Sequence, residues 1–260
     1  MSAGLAGAVR AVLFDLEGTL YEAGRAIPGA AAALAALDRR GIPCRFVTNT
    51  TSRPRRALAA ELAAMGLPAD PERIFTAPRA GRDLLLARGW RRAHLLVTDA
   101  VREDFDGIAA EDTAPDAVVL GDLGEETTYA ALNRAFRLLL ADVPLVTLAR
   151  NRYYRGADGL RLDQGAFCAA LEYATGRPAL LAGKPAPEFF AAALRSLGVR
   201  PEEAVVVGDD LDADVRGGIA AGLRGVLVRT GKFRPEELER PGAPPDAAVD
   251  SVADFPALLA

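Results

Sequence analysis

The sequence predicts an α/β fold: a doubly wound parallel sheet into which a second α/β unit is inserted. Short β-branched runs alternate with amphipathic stretches of helical length along the 260 residues, as in βαβ units around a parallel sheet. Residues 11–14, Ala-Val-Leu-Phe, are entirely apolar, which is typical of a strand covered on both faces. The stretch 79–178 has strand and helix patterns of its own and is long enough to form the inserted unit.

The other core elements follow from the same kinds of pattern. Residues 30–40 predict a helix that Gly41 ends, and residues 45–47 predict the second strand. Residues 204–207 and 226–228 predict two further short, buried strands. Polar residues follow most of these strands directly. Because ligands of open parallel sheets bind beyond the carboxyl ends of the strands, we expect a functional site there.

The inserted unit is predicted from five segments of its own. Strands are expected at residues 95–97, 117–120 and 145–148, and helices at residues 127–140 and 166–175. The predicted division is therefore a core of residues 1–78 and 179–260 and an inserted domain of residues 79–178. Pro78 and Pro178 suit stiff connections at the two crossings that any inserted domain requires.

Composition excludes several classes of function. The formal charge is -4 and no long basic run is present, so we expect no nucleic-acid partner. No run approaches about 18 apolar residues, and residues 1–9 lack the features of a signal peptide, so we expect a cytoplasmic protein that does not enter a membrane. Cys44 and Cys168 are too few for a disulfide framework, and His94 is the only histidine. His94 begins an apolar run, which suggests the edge of a strand rather than a catalytic base.

A loop with two carboxylates follows the first predicted strand. Residues 15–19 are Asp-Leu-Glu-Gly-Thr, so Asp15 and Glu17 come directly after buried residues and next to a glycine. Such a loop can aim a carboxylate at phosphorus while backbone amides receive the phosphate oxygens. Taken alone, the motif is also consistent with a turn that ends a strand.

Donors for an anion occur at two other places. Thr48 and Asn49 follow the second strand and lie near a predicted helix start, where anions are favoured. Lys184 lies between Gly183 and Pro185, where an ammonium group could neutralise the charge of a phosphoryl group. The plain structural alternatives are a capping loop for the first pair and a solvated surface side chain for Lys184.

A dense run of acids ends another apolar strand. Residues 208–214 are Gly-Asp-Asp-Leu-Asp-Ala-Asp, with four acids within six positions. Carboxylates packed so closely repel one another, and a bound cation would relieve that repulsion. Because the run offers only oxygen ligands, with no nearby histidine or cysteine, it predicts Mg²⁺ rather than zinc.

In this order, the four features resemble the successive motifs of the haloacid dehalogenase superfamily of phosphohydrolases. The matching positions are residues 15–19, 48–49, 184, and 208–210 together with 214. The resemblance runs over nearly the whole chain and implies a Rossmann-like core. The long insertion between the second and third motifs resembles the α/β cap domain of subfamily IIA. Six segments resemble particular members of that subfamily, namely residues 48–51, 152–154, 158–160, 169–175, 183–185 and 230–232.

The resemblance also implies a metal site and a covalent mechanism. Asp15 would attack phosphorus in line and form an aspartyl-phosphate, which water then hydrolyses. Mg²⁺ would be held by the Asp15 side chain, the backbone carbonyl of Glu17 and Asp209. Asp210 and Asp214 would act as supporting acids. These roles agree with the physical need of phosphoryl transfer for positioning and charge neutralisation.

The remaining implied roles concern the substrate and partners. Thr48, Asn49 and Lys184 would bind the phosphoryl oxygens of a small phosphorylated substrate. The cap would contact the leaving group, and the resemblance allows a homodimer through the cap.

Glu17 departs from the commonest pattern of the superfamily. Many of its phosphatases have Asp two residues after the nucleophile, as general acid for the leaving group and general base for water. A glutamate provides the same carboxyl chemistry one methylene further from the backbone, so we assign Glu17 this role. The alternative is that only its backbone carbonyl matters, as a metal ligand.

Other functional classes fit less well. A receiver domain of a signalling pathway places its acid pair before the phosphorylated aspartate, whereas the acid run comes last here. A dinucleotide-binding dehydrogenase requires a Gly-x-Gly-x-x-Gly turn after its first strand, which residues 15–18 do not provide. Carbon–halogen hydrolysis is a further alternative within the superfamily, but that reaction does not need the metal site that residues 208–214 predict. The main alternative is a phospholigand-binding or scaffold protein on the same fold with negligible turnover.

Overall fold

The computed structural model describes Leu5 and residues 9–68, 70–156 and 158–259. Residues 1–4 and 6–8 of the N-terminal segment interpreted above lie outside the described residues. Within the described ranges, every helix is too short or too polar to cross a lipid bilayer.

Strands and helices alternate along most of the chain. The strands are β1 (Ala11–Asp15), β2 (Tyr21–Glu22), β3 (Arg25–Ala26), β4 (Cys44–Thr48), β5 (Ile74–Thr76), β6 (Arg92–Leu96), β7 (Ala109–Ala110), β8 (Ala117–Leu120), β9 (Leu145–Thr147), β10 (Tyr153–Gly156), β11 (Gly159–Leu162), β12 (Leu180–Leu181), β13 (Ala204–Gly208), β14 (Arg224–Val228) and β15 (Ala247–Val249). The α-helices are α1 (Ala30–Arg39), α2 (Arg55–Ala64), α3 (Ala77–Ala87), α4 (Tyr129–Leu140), α5 (Gln164–Thr175), α6 (Pro187–Arg195) and α7 (Gly217–Ala220). A π-helical turn, Leu211–Arg216, follows β13.

The chain divides into two compact units. The first contains Met1–Thr48, Arg55–Phe75 and Lys184–Ala260, and the second contains Asn49–Pro54 and Thr76–Gly183. These borders differ from the predicted ones for local reasons. The Thr76 hydroxyl caps α3 by accepting from the backbone N–H of Arg79, so the second unit begins before residue 79. Strand β12 pairs with β9, which keeps the chain in the second unit beyond residue 178.

The first unit is built on a six-stranded sheet in the order β15-β14-β13-β1-β4-β5. The pairs β1–β13, β1–β4, β13–β14 and β14–β15 are all parallel. Each residue of β1 and of β13 is buried, as expected for central strands of a sheet that is covered on both faces. One face of these two strands, which includes Val12, Phe14, Val205 and Val207, packs with α1 and with the C-terminal segment Val252–Leu259 in one large core. The predicted α/β fold class is confirmed.

The second unit has its own parallel sheet, in the order β12-β9-β8-β6-β7. Alternate residues of β6 face opposite sides, so Ala93 and Leu95 pack with α3, while Leu96 packs with α4 and α5. His94 lies inside β6 rather than at its start, because the strand begins two residues earlier at Arg92. Its Nδ1 atom is 2.7 Å from a carboxylate oxygen of Asp112.

Candidate active site

The carboxyl ends of three neighbouring strands bring the predicted residues to one edge of the first sheet. Asp15 is the last residue of β1 and lies opposite Val47 of β4 in the parallel register. Thr48 ends β4 directly after that partner and is buried. On the other side of β1, strand β13 ends at Gly208 and Asp209 follows it. The topology therefore converts residues far apart in sequence into neighbours.

Lys184 is buried at the centre of this edge, not solvated at the surface. Its Nζ atom lies 2.5 Å from Oδ1 of Asp15 and 2.6 Å from Oδ1 of Asp214. It also lies 3.4 Å from the carbonyl oxygen of Val47. Burial by itself lowers the pKa of the Lys184 ammonium, but the charges of Asp15 and Asp214 outweigh that effect and raise it. Lys184 is therefore a permanent positive charge within the site.

Three buried acids, Asp15, Asp209 and Asp214, form a cluster around this ammonium. One carboxylate oxygen from each lies within 4.8 Å of the others. Burial raises the pKa of Asp209, and the charges of Asp15 and Asp214 raise it further. Burial also raises the pKa of Asp214, although the charge of Lys184 opposes that shift. When all three are ionised, these carboxylates carry more negative charge than one ammonium group can neutralise.

This donor set fits a hard divalent cation. The three acids offer only oxygen atoms, which are the ligands that Mg²⁺ prefers, and two of them are the predicted ligands Asp15 and Asp209. A bound cation would relieve the repulsion that raises the pKa of Asp209. The same three acids are therefore capable of holding a metal ion beside a potential nucleophile.

The four acids of the run 209–214 separate into two groups. Asp209 and Asp214 point into the cluster, whereas Asp210 and Asp212 do not belong to it. The Asp210 carboxylate instead caps the π-helical turn by accepting from the backbone N–H groups of Asp212 and Ala213. Asp212 is paired with Arg216 at 2.8 Å. Asp210 thus fixes the start of the turn that contains Asp214.

Glu17 is not one of the three clustered acids, and Asn49 belongs to the other compact unit. Glu17 is exposed, and its Oε1 atom accepts a hydrogen bond of 3.2 Å from the backbone N–H of Ala23, in the turn between β2 and β3. Asn49 belongs to the second unit, where a Cβ atom added to Gly183 would lie 2.6 Å from its Oδ1 atom.

One segment at the site received no role from the sequence. The turn 230–232 follows β14, and the backbone N–H of Lys232 donates to Oδ2 of Asp209 at 2.6 Å. The Thr230 hydroxyl donates to the carbonyl oxygen of Gly18. Residues 230–232 are among the segments that resemble members of the subfamily. Only the structure shows that they contact the loop that follows β1.

Comparison with known protein families gives two matches along the chain. The model described as haloacid dehalogenase-like hydrolase matches residues 12–110, and a second, HAD-hydrolase-like model matches residues 181–255. The two matched regions contain Asp15, Lys184, Asp209 and Asp214.

Similar proteins cover nearly the full length. Haloacid dehalogenase-like hydrolase domain-containing protein 2 of Homo sapiens is 44% identical over 94% of this chain and 93% of its own length. Phospholysine phosphohistidine inorganic pyrophosphate phosphatase of Bos taurus is 41% identical over 98% of this chain and 95% of its own. The structure of a 4-nitrophenylphosphatase from Thermotoga maritima, 30% identical, superposes with a TM-score of 0.90 and covers 97% of this chain and 98% of that one. The chain therefore belongs to the haloacid dehalogenase superfamily, in its subfamily IIA, and is a hydrolase of the phosphatase type.

Proposed function

We propose that this chain is a Mg²⁺-dependent phosphohydrolase that acts on small phosphorylated compounds through an aspartyl-phosphate on Asp15. The observation that supports the proposal most directly is the buried cluster of Asp15, Asp209 and Asp214, in which Lys184 contacts two of the acids. Phosphoryl transfer requires positioning and charge neutralisation above all. The cluster provides an oxygen nucleophile, a cation site and a fixed positive charge at one end of the sheet.

In the first step, a carboxylate oxygen of Asp15 attacks phosphorus in line, and the bond from phosphorus to the leaving oxygen breaks. The Lys184 ammonium stabilises the negative charge on the phosphoryl oxygens. Thr48 and Asn49 keep their predicted role as further donors to those oxygens. When the substrate is an alkyl phosphate, the carboxyl group of Glu17 gives its proton to the leaving oxygen, which departs as an alcohol.

Asp15, Asp209 and the backbone carbonyl of Glu17 would hold Mg²⁺ at this site. Bound Mg²⁺ supplies the charge neutralisation that lets an anionic carboxylate approach an anionic phosphate. Asp214 remains paired with Lys184, so the ammonium group keeps its place while charge moves during the reaction.

In the second step, water attacks the phosphorus atom of the aspartyl-phosphate. The Glu17 carboxylate, now deprotonated, takes a proton from that water, and the bond between phosphorus and the Asp15 oxygen breaks. Inorganic phosphate is released and the Asp15 carboxylate is regenerated. The same side chain thus serves as acid and then as base.

The predicted domain roles and partners belong to the same proposal. Residues 1–78 and 179–260 would form the catalytic core, and residues 79–178 would form a cap that shields the acyl phosphate from untimely water. We expect a small-molecule substrate, with neither nucleic acid nor a membrane as partner, and the cap offers a surface for a homodimer. Location in the cytoplasm stays a prediction.

The substrate classes to test first come from the names of the similar proteins. These names mention an aryl phosphate, phosphoamidates of lysine and histidine, and inorganic pyrophosphate. We suggest measuring phosphate release from one compound of each class and from an alkyl phosphate, with Mg²⁺ and with EDTA. The Asp15→Asn variant serves as the matched control, because it changes one atom of the nucleophile and almost no volume.

The proposal predicts Mg²⁺-dependent phosphate release from at least one class, which EDTA and the Asp15→Asn substitution both abolish. Tight phosphate binding with no release above the Asp15→Asn background in any class would contradict it. That result would favour the alternative of a phospholigand-binding protein with negligible turnover.

A further inference from the structure

The turn 230–232 contacts two parts of the candidate active site that come from different strands. Strand β14, which precedes it, is separated from β1 by β13 in the sheet. The turn nevertheless reaches the loop after β1, because the Thr230 hydroxyl donates to the carbonyl oxygen of Gly18. Two residues later, the backbone N–H of Lys232 donates to Oδ2 of Asp209 at 2.6 Å. One three-residue segment therefore contacts both the loop of residues 15–19, the nucleophile loop, and Asp209, the first acid of the run 209–214.

Two glycines make this approach sterically feasible. Gly18 and Gly231 have φ angles of +88° and +57°, in the region that favours glycine. A Cβ atom added to either residue would overlap the Asp209 carboxylate. A Cβ atom on Gly231 would also lie 2.5 Å from the Cα atom of Gly18. The nucleophile loop, the turn and Asp209 are thus packed directly against one another, with no side chain between them.

We propose that the turn 230–232 is a positioning element for the metal centre, which fixes the nucleophile loop relative to Asp209. The inference rests on the proposed function, in which Asp15 and the Glu17 carbonyl supply one part of the ligand set and Asp209 supplies another. Gly18 is the next residue after Glu17, so the Thr230 hydroxyl holds the backbone at the expected carbonyl ligand. The Lys232 N–H orients the Asp209 carboxylate by occupying one of its oxygens. Hydrogen bonds of this kind set the geometry of metal ligands.

The Lys232 side chain plays a different part from its backbone. Its Nζ atom is 3.4 Å from Asp210, with 65% of the side chain exposed, and an ion pair this exposed contributes little to stability. Its positive charge opposes the binding of a second cation nearby. The positioning role therefore predicts different effects for two substitutions in one turn: loss of the Thr230 hydroxyl weakens Mg²⁺ binding, whereas loss of the Lys232 ammonium does not.

The test is a calorimetric titration of Mg²⁺ into the full-length wild type and four variants. Thr230→Val removes the hydroxyl with little change of volume, and Thr230→Ser restores a hydroxyl. Lys232→Met removes the ammonium and keeps the backbone N–H. Thr175→Val is the matched control, because the Thr175 hydroxyl also donates to a carbonyl oxygen, that of Leu171 at 2.8 Å, but within helix α5 of the second unit.

We expect Thr230→Val to weaken Mg²⁺ binding by about tenfold. This is the lower end of the range of affinity losses that follow removal of a group that orients metal ligands. Thr230→Ser and Thr175→Val should bind like the wild type, and Lys232→Met should bind equally or more tightly. Wild-type affinity in Thr230→Val, or an equal loss in Thr175→Val, would overturn the inference. For a variant too unstable to titrate, the Mg²⁺-induced rise in melting temperature gives the affinity instead. Failure of the wild type to bind Mg²⁺ would contradict the proposed function itself. This outcome differs from failure of the positioning role, in which the wild type binds Mg²⁺ and Thr230→Val binds it equally well.

Discussion

Replacement of Lys184 by methionine removes the ammonium group that lies between two buried carboxylates. Its Nζ atom is 2.5 Å from Asp15 and 2.6 Å from Asp214, and the three side chains are only 3%, 10% and 1% exposed. Removal of one partner from a buried ion pair costs about 3–5 kcal/mol, because the remaining charge has lost its compensation. We therefore expect Lys184→Met to lower the free energy of unfolding by at least about 3 kcal/mol at pH 8 in Mg²⁺-free buffer.

The loss should become smaller at low pH. Burial already raises the pKa of Asp214, and removal of the opposing Lys184 charge raises it further. An acid whose pKa is higher in the folded state than in the unfolded state stabilises the fold at low pH, and this contribution disappears as the pH rises through the folded-state pKa. The variant therefore gains more stability than the wild type when the pH falls from 8 to 5.

Urea unfolding in EDTA at the two pH values measures both effects. The double variant Lys184→Met with Asp214→Asn should recover part of the loss at pH 8, because it removes one of the two uncompensated charges. An equal loss at pH 5 and pH 8, or a loss below about 1 kcal/mol at pH 8, would show that the ammonium does not stabilise the carboxylates as the geometry indicates.

Three further predictions concern the acids of the site. If the Glu17 carboxyl group is the general acid, Glu17→Gln should slow single-turnover hydrolysis of an alkyl phosphate by about 10²- to 10⁴-fold and of an aryl phosphate less. A near-wild-type rate with both substrates would indicate that Glu17 contributes only through its backbone carbonyl. Asp209→Ala should weaken Mg²⁺ binding in calorimetric titrations, and equal affinity would remove Asp209 from the metal site. Because the pKa of Asp209 is raised from 3.8 to about 8, the metal-free protein should lose stability between those pH values. Asp209→Asn should flatten that profile in urea unfolding, and an unchanged profile would assign the titration to another group.

Most of the core could be predicted from sequence, because its strands are short apolar runs that end in polar residues. Strand β13 begins at the predicted residue, Ala204, and β1 extends the predicted strand by one residue to Asp15. The two-residue strands β2, β3, β7 and β12 were not predicted, because such short segments have no periodicity to detect. The pairing of β12 also depends on a partner distant in sequence, β9.

The sequence nominated Asp15, Lys184, Asp209 and Asp214 as candidate site residues, but it did not predict the geometry that the structure gives them. Sequence patterns placed Lys184 and Asp214 near phosphate and metal, yet gave no indication that the two side chains pair at 2.6 Å. They also treated the run 209–214 as one acidic group, whereas the π-helical turn directs Asp210 and Asp212 away from the cluster. The contacts of Thr230 depend on how β14 is ordered relative to β1, which no local pattern encodes.

Direct capture of the phosphorylated enzyme is the most stringent measurement. The protein should be mixed with Mg²⁺ and a phosphate ester that it hydrolyses, quenched in acid within one turnover, and analysed by intact-protein and peptide mass spectrometry. The proposed mechanism predicts one added phosphoryl group, sensitive to hydroxylamine as an acyl phosphate is, located on the peptide that contains Asp15. The Asp15→Asn variant, treated identically, should have none. Rapid turnover by the wild type with no phosphorylated Asp15 at any quench time, or a phosphoryl group on another residue, would contradict Asp15 as the nucleophile.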